Sequence, residues 1–376
     1  MHGMVWLVLS LIAVGLAISL PITALLLVSG RRSGALDSAG APGHEKVLRA
    51  VPNTGGLAIF LAVAGPIACA LAAVWVADQE TWARWLPAIV PNLDRIWHTM
   101  PTALAMLAAM SVLHLMGLID DRRSLSPWLK LLVQLAVAAV MVVWFDVRLL
   151  ELLGTWPSII ITILWIVAIT NAINFMDNMD GLAAGVSAIA AALFMAACIV
   201  NHQWFIAATL ALLIGALIGF LIFNFHPARI FMGDGGSLVV GFLLAILTAR
   251  TTYYTDEAEY PLGEGWYGVF MPLIVLAIPL YDLVSVTLIR LTQGRNPLVG
   301  DQQHFSHRLV QRGLSPRGAV VVIWAATAVT GIGGVALARL EAWQAILVGV
   351  QTLLVLLMIA LLEHASRRAV AGNRAT

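Results

Sequence analysis

Charge is scarce in this 376-residue chain. Asp, Glu, Lys and Arg make up 11% of it, against roughly 25% in a soluble globular domain. Apolar residues make up 61%, and mean hydropathy is +0.92. These values exclude a soluble enzyme on a single anchor and leave a polytopic membrane protein. The net charge of +1 offers nothing to nucleic acid. Cysteine is nearly absent too. Cys69 and Cys198 each fall inside an apolar run, where buried structural thiols are expected and neither a disulfide nor a metal site is indicated. No repeat of fixed period is visible, and no linker is long enough to set off a soluble domain. Residues 1–376 therefore read as one integral membrane domain.

Long apolar runs are what the chain does have. They fall near 4–28, 55–77, 101–118, 128–145, 157–175, 182–200, 204–223, 237–250, 268–290, 318–338 and 342–362. The expectation is an all-α protein of about eleven transmembrane helices, the eighth being the shortest. The first run is too long for a signal-peptide core, has no basic residue before it and is followed by Arg31 and Arg32, so it reads as a retained span. On this topology sixteen of the 21 Lys and Arg residues lie on one side and five on the other. The positive-inside rule puts the N-terminus outside and the C-terminus in the cytoplasm. The stretch 79–98 reads as a short amphipathic segment at the outer interface.

The remaining polar residues are clustered, and every informative cluster falls on the cytoplasmic side. The densest is 171-NAINFMDNMDGLAAG-185. If the fifth helix continues through it, Asn171, Asn174, Asp177 and Asn178 share one face, and Asp180-Gly181 starts the next helix. Carboxylates and amides together suit a divalent cation with a polar ligand; an Asn-rich helix contact is the bland alternative. In 117-GLIDDRRSLSPWLKLLVQ-134, Asp120 and Asp121 end a helix. Adjacent carboxylates there repel unless a cation or proton intervenes. Ser126 and Pro127 suit the cap and first position of the next helix.

In 224-NFHPARIFMGDGGSLVVGF-242, glycines surround Asp234 and Ser237 can cap a helix, a pattern that offers backbone N–H groups to phosphate. Asp234 is placed to hold Mg²⁺ there, and Phe231 is available to stack on a base. In 46-KVLRAVPNTGGLAIF-60, Lys46 and Arg49 precede a tight turn and form a cationic lip or an ordinary positive flank. In 301-DQQHFSHRLVQRGLSPRG-318, His304, His307 and Arg308 have the spacing of one helical face, suited to a diphosphate more than to zinc. A basic loop on anionic lipid is the plainer reading. Asp282, inside an apolar run, is either a site residue or a hydrogen-bonded tie between helices; the tie is the preferred reading.

The segments 117-GLIDDR-122, 171-NAINFMDNMDGL-182, N-F-x-P-A-x-x-F-M-G-D-x-G-S at 224–237 and H-x-x-H-R-L at 304–309, in that order, resemble the polyprenyl-phosphate N-acetylhexosamine-1-phosphate transferase superfamily. The resemblance runs from about 46 to 318, and the four motifs together are specific where each alone is not. It implies attack of a membrane polyprenyl phosphate, such as undecaprenyl phosphate, on the β-phosphate of a UDP-N-acetyl sugar, with Mg²⁺ required and Mn²⁺ as a substitute. It implies Asn174 and Asp234 as metal ligands. Asp120, with Asp121 beside it, would bind or deprotonate the lipid phosphate. Asp177 and Asp180 would contact nucleotide, with Asn171 among the substrate-binding amides, and Phe231 would stack on uracil. His304, His307 and Arg308 would hold phosphate, and Arg49 matches a basic position more loosely. The chain departs from the pattern in two places. Asn178 stands where the family usually has Gly, and Ser306 replaces one histidine of the H-x-H-H loop.

The loop is closer to the N-acetylglucosamine-1-phosphate branch than to the phospho-muramoyl-pentapeptide branch. Such a protein would sit in the bacterial inner membrane and open an envelope glycan pathway such as O-antigen or teichoic acid. A homodimer is compatible with the sequence, which shows none. The competing class is a secondary transporter, which would place acids near the midplane of repeated halves instead of crowding them on one face.

Overall fold

The computed structural model describes residues 2–33, 51–250, 266–296 and 303–373. Lys46 and Arg49 lie outside the described residues. The chain forms α1 (His2–Ser33), α2 (Gly56–Val76), α3 (Gln79–Trp85), α4 (Leu93–Asp120), α5 (Pro127–Val143), α6 (Thr155–Met176), α7 (Leu182–Val200), α8 (Trp204–Asn224), α9 (Asp234–Arg250), α10 (Met271–Val275), α11 (Ala277–Thr292), α12 (Phe305–Val310), α13 (Pro316–Val335) and α14 (Ala342–Asn373). Among the described residues there is no strand.

All eleven predicted runs are helical. Among the described residues eight helices are long and apolar enough to cross a membrane, and α10 with α11, bent by 67°, makes a ninth if the pair is one span. The other two, α5 and α9, have 17 residues each. That is about 25 Å of helix, most of a hydrocarbon core of about 30 Å. The interfacial stretch 79–98 divides in three, with a 3-10 turn at Pro87–Asn92 between α3 and α4. Asp78 caps α3 by accepting the Thr81 N–H at 2.9 Å, and the residues from Leu93 onward join α4. One expectation about cysteine is corrected. Cys198 is buried, but Cys69 faces outward from its helix, because on a lipid-facing side burial in protein is not needed to keep a thiol out of water.

The centre is α9. Every residue from Gly235 to Ala249 is buried, as expected of a helix that is apolar all round. α2, α4 and α6 pack on it. α1 lies along α8 on small residues. Ser19 Oγ donates to the Ala216 carbonyl at 2.7 Å, and a Cβ on Gly215 would meet the Ile12 carbonyl at 2.0 Å. With no hydrophobic force between helices in lipid, such backbone approach is what dispersion needs. Alternating helix direction gathers the starts of α2, α5, α7 and α9 and the ends of α4, α6 and α8 at one end of the bundle. The polar clusters of the sequence sit there.

Candidate active site

The floor of the site is the first turn of α9. Four N–H groups at a helix start have no partner within the helix. Here the neighbouring helix end supplies one. Asp121 Oδ1 accepts the Asp234 N–H at 3.0 Å and Oδ2 accepts the Gly235 N–H at 3.2 Å. Asn53 Nδ2 donates to Asp121 Oδ1 at 2.9 Å. Burial, and then the Asp234 carboxylate beside it, push the Asp121 carboxyl up to about 7. Gly233 makes the turn at φ +69°, and a Cβ there would lie 2.5 Å from both Asn53 Oδ1 and Asp121 Oδ2. The 52–56 turn is laced to the same loop. Phe231 N–H donates to the Pro52 carbonyl at 2.8 Å, Gly55 N–H to Phe231 at 3.0 Å and Gly56 N–H to Met232 at 2.9 Å. So the two Gly-rich stretches of the sequence form one structure.

Asp120 and Asp121 are neighbours with different tasks. Asp120 Oδ1 accepts the Leu125 N–H at 2.7 Å, and its Oδ2 accepts Lys130 Nζ at 2.8 Å. The same Nζ lies 3.3 Å from Asp234 Oδ2. Asp234 Oδ1 in turn accepts Asn174 Nδ2 at 2.9 Å, and that amide also reaches Ser237 Oγ at 2.8 Å. A continuous chain therefore runs Asp120, Lys130, Asp234, Asn174, Ser237. Ser237 does not cap α9 as expected. The helix begins three residues earlier, and its hydroxyl donates back to the Gly233 carbonyl at 3.1 Å.

Lys130 was not among the expected site residues, though a signal for it exists. Lys130 and Gln134, at i and i+4, make one polar stripe on an otherwise apolar α5. A lysine near a helix start opposes the dipole, so it needs another partner. Gln134 serves the same face: Asn171 Nδ2 donates to its Oε1 at 2.5 Å.

The expected single face of Asn171, Asn174, Asp177 and Asn178 is corrected. α6 stops at Met176, and Asp177 caps it with ψ 39°. Only Asn171 and Asn174 share the helical face. Asp177 is half-buried at the helix end. Asp180 is buried. Its Oδ2 lies 2.7 Å from His226 Nδ1 and accepts the Ala228 N–H at 3.1 Å, so Asp180 holds the 226–228 turn. Asn224 braces the same corner, accepting the Gly181 N–H at 3.0 Å and donating to the Ile230 carbonyl at 2.9 Å. Neither His226 nor Asn224 was expected. Phe231 is half-buried beside Asp234 in sequence, with its backbone fixed by the 52–55 turn.

The histidine segment forms a wall. His304 is the N-cap of α12, and His307 and Arg308 lie in the helix. His304 is edge-to-face with Phe175, centroids 5.4 Å apart. Arg290, also buried, sits 5.3 Å over the Phe175 ring. Ser306 Oγ donates to Asn178 Oδ1 at 2.5 Å. The wall thus meets the end of α6 one residue from Asn174. Arg308 is turned elsewhere. Its Nη2 donates to Ser285 Oγ at 2.9 Å and pairs with Glu363 Oε1 at 3.2 Å. It anchors the wall to α11 and α14. His307 is half-buried on the same short helix. Asp282 lies behind the wall, bonded to both His304 and Phe305, which is the interhelical tie preferred from sequence.

The donors present fit Mg²⁺. They are hard oxygens, two carboxylates already drawn to one cation by Lys130. Among the described residues no three His, Cys, Asp or Glu side chains form a ready-made cage. Mg²⁺ is commonly held by one or two carboxylates, with waters and substrate phosphates completing its shell.

An all-helical membrane scaffold that gathers acids, amides and one lysine at the ends of its helices defines a polytopic membrane enzyme built to handle a charged substrate. The family description "Glycosyl transferase family 4" matches residues 103–252. Over 316 residues the chain is 31% identical to a Bacillus subtilis protein named probable undecaprenyl-phosphate N-acetylglucosaminyl 1-phosphate transferase, covering 81% of this chain and 77% of that one. It is 34% identical over 310 residues to the decaprenyl-phosphate N-acetylglucosaminephosphotransferase of Mycobacterium leprae, covering 75% and 72%. It is 29% identical over 248 residues to the undecaprenyl-phosphate alpha-N-acetylglucosaminyl 1-phosphate transferase of Escherichia coli, covering 62% and 65%. The chain belongs to glycosyl transferase family 4, in the branch of the polyprenyl-phosphate N-acetylglucosamine-1-phosphate transferases.

Proposed function

We propose that this protein transfers N-acetylglucosamine-1-phosphate from UDP-N-acetylglucosamine to a polyprenyl phosphate. A lipid phosphate oxygen forms a bond to the β-phosphorus, the bond from that phosphorus to the α-phosphate oxygen breaks, and UMP leaves. The observation that carries this reading is the hydrogen-bonded chain from Asp120 through Lys130 and Asp234 to Asn174 at the start of the central helix. The names of the relatives support the donor and acceptor.

Phosphoryl transfer asks for alignment and charge neutralisation more than covalent chemistry. Asp234, with Asn174 beside it, would hold Mg²⁺ or Mn²⁺, which when bound neutralises the diphosphate and stabilises departing UMP. The lipid phosphate is already an anion at neutral pH and needs no strong base. It needs a cation, and Lys130 is that cation on the floor. Asp120 aims Lys130 and so positions the acceptor. Asp121 keeps the α9 N-terminus in place. Asp177 and Phe231 line the approach for the nucleotide, and His304 and His307 face the phosphates from the wall.

The basic-residue asymmetry supports a site on the cytoplasmic face of the inner membrane, where a soluble nucleotide sugar meets a lipid acceptor. The test is UMP release from UDP-N-acetylglucosamine by purified protein with undecaprenyl phosphate and Mg²⁺, beside Asp234→Ala. Metal-dependent release that the variant loses is expected. Inertness with every UDP-N-acetyl sugar would overturn the reading. Turnover of another such donor would keep the reaction and change the sugar.

A further inference from the structure

Asp282 is the most deeply buried carboxyl group among the described residues, 1% exposed, and the transfer described above makes no use of it. It lies in α11, behind the histidine wall. Its Oδ1 accepts the Phe305 N–H at 2.6 Å, and its Oδ2 lies 2.8 Å from His304 Nδ1. One carboxyl group therefore grips both the backbone and the ring at the start of α12. His304 is itself 5% exposed.

A neutral imidazole carries one N–H and one lone pair, and the partner of one nitrogen decides the state of the other. A carboxylate already accepting a backbone N–H accepts again from Nδ1–H. That leaves Nε2, which has no hydrogen-bond partner among the described residues. The ring's neighbours locate it. Phe175 meets it edge-to-face, and Ser306 is bonded to Asn178 two residues along the wall. Both partners belong to the α6 end that carries Asn174. The ring is thus held against Phe175, the residue after Asn174, by a group on a different helix.

We propose that Asp282 is a positioning residue for the transfer. It fixes His304 as the Nδ1–H tautomer and presents Nε2 to the substrate diphosphate. This rests on the reaction proposed above. The competing role is purely architectural, with Asp282 pinning α12 through the Phe305 N–H alone.

Asp282→Asn separates the two roles. The Asn oxygen still accepts from Phe305, but its NH₂ now faces Nδ1 and favours the opposite tautomer. Full-length wild type, Asp282→Asn, His304→Gln and the double variant are compared for kcat. Long-range ¹H–¹⁵N spectra of histidine-labelled protein report the His304 tautomer, assigned by the signal lost in His304→Gln. The expected result is a switch from Nδ1–H to Nε2–H in Asp282→Asn and a loss of about 10–100-fold in kcat, the scale found when the partner that orients a metal-bound histidine is removed. The double variant should be no worse than His304→Gln, because both remove one interaction. Wild-type kcat in Asp282→Asn, a kcat loss without the tautomer switch, or multiplying losses in the double variant would each overturn the proposal. If wild type itself transfers nothing, the proposed reaction has failed, and the spectra alone decide: a switch upholds the positioning geometry and no switch ends it.

Discussion

The floor and the histidine wall treat charge in opposite ways. On the floor two carboxyl groups, Asp120 and Asp234, share one ammonium, Lys130, and a third, Asp121, is bonded to the Asp234 N–H. On the wall Asp282 meets His304, Glu363 meets Arg308, and Arg290 adds a further guanidinium over Phe175. The floor has more carboxyl groups than cations, whereas on the wall each carboxyl group has a basic partner. Like charges held together raise each other's energy until a cation arrives, and that is why the proposed reaction puts its metal on the floor. The contrast also separates function from architecture. The floor's groups share partners in one chain across several segments, whereas the wall's buried groups are paired one to one and anchor the segment.

The largest effect should come from the floor. Asp234→Asn removes the carboxylate shared by Lys130 and Asn174 while keeping its volume. Turnover should fall about 10³-fold, the upper range for losing one group that stabilises transition-state charge, with thermal stability little changed. Chelation of divalent metal should produce a similar loss in wild type and no further loss in the variant. Turnover of the variant within tenfold of wild type would mean that the floor is not the seat of chemistry.

The wall should respond in stability first. Arg308→Ala removes the guanidinium that pairs with Glu363 and donates to Ser285, leaving Glu363 the Tyr281 hydroxyl and Ser285 the Asp282 carbonyl; breaking such a buried ion pair typically costs about 3–5 kcal/mol. The variant should melt earlier in detergent, and Arg308→Ala with Glu363→Leu should recover part of that loss. If Arg308→Ala raises KM for the donor with no change in melting, Arg308 contacts substrate and the distinction between floor and wall is wrong.

A third test returns to the floor by way of packing. A Cβ on Gly117 would stand 2.4 Å from the Asp234 carbonyl carbon and 2.4 Å from Gly235 N. Gly117→Ala must push α4 from the start of α9. A displacement near 1 Å in a reacting site costs about 10²-fold, and overpacking costs about 1–3 kcal/mol. Gly65→Ala, whose added Cβ would meet nothing within 4 Å, is the matched control for helix propensity.

The sequence exposes the scaffold well. Apolar runs mark the helices because lipid demands some 20 apolar residues for each crossing, and all eleven runs are helical. The acids on the floor were legible because charge in a membrane chain is costly enough to need a use. Lys130 was not, because a lysine at a helix end reads as an ordinary flank until its partners, 10 and 104 residues away in the chain, are brought to it. Asp180 and Arg308 were read as ligand contacts. Their spacing gives the face of a segment but not the tertiary partner, and His226 and Glu363 occupy them. The end of α6 was misjudged for a similar reason. Asn and Asp compete with the helix backbone for hydrogen bonds and stop it, and Asn178 Nδ2 donates to the Phe175 carbonyl at 2.5 Å.

The smallest effect concerns the joint between the two regions. Asn178 and Ser306 are the two positions at which this chain departs from the family pattern noted in its sequence, and they bond to each other at 2.5 Å. The two departures are therefore one contact, between the end of α6 and the wall. Asn178→Ala and Ser306→Ala should each cost about 1 kcal/mol, the net worth of one partly buried hydrogen bond, or about fivefold if it appears wholly in kcat/KM. The double variant should cost little more than either single, giving a coupling of about 1 kcal/mol in the cycle. Additive losses would mean that each residue serves the substrate separately and that wall and floor meet only through Phe175. Coupling expressed in kcat/KM but absent from melting would mean that the joint sets the spacing between histidines and acids, so that the two charge environments work as one site.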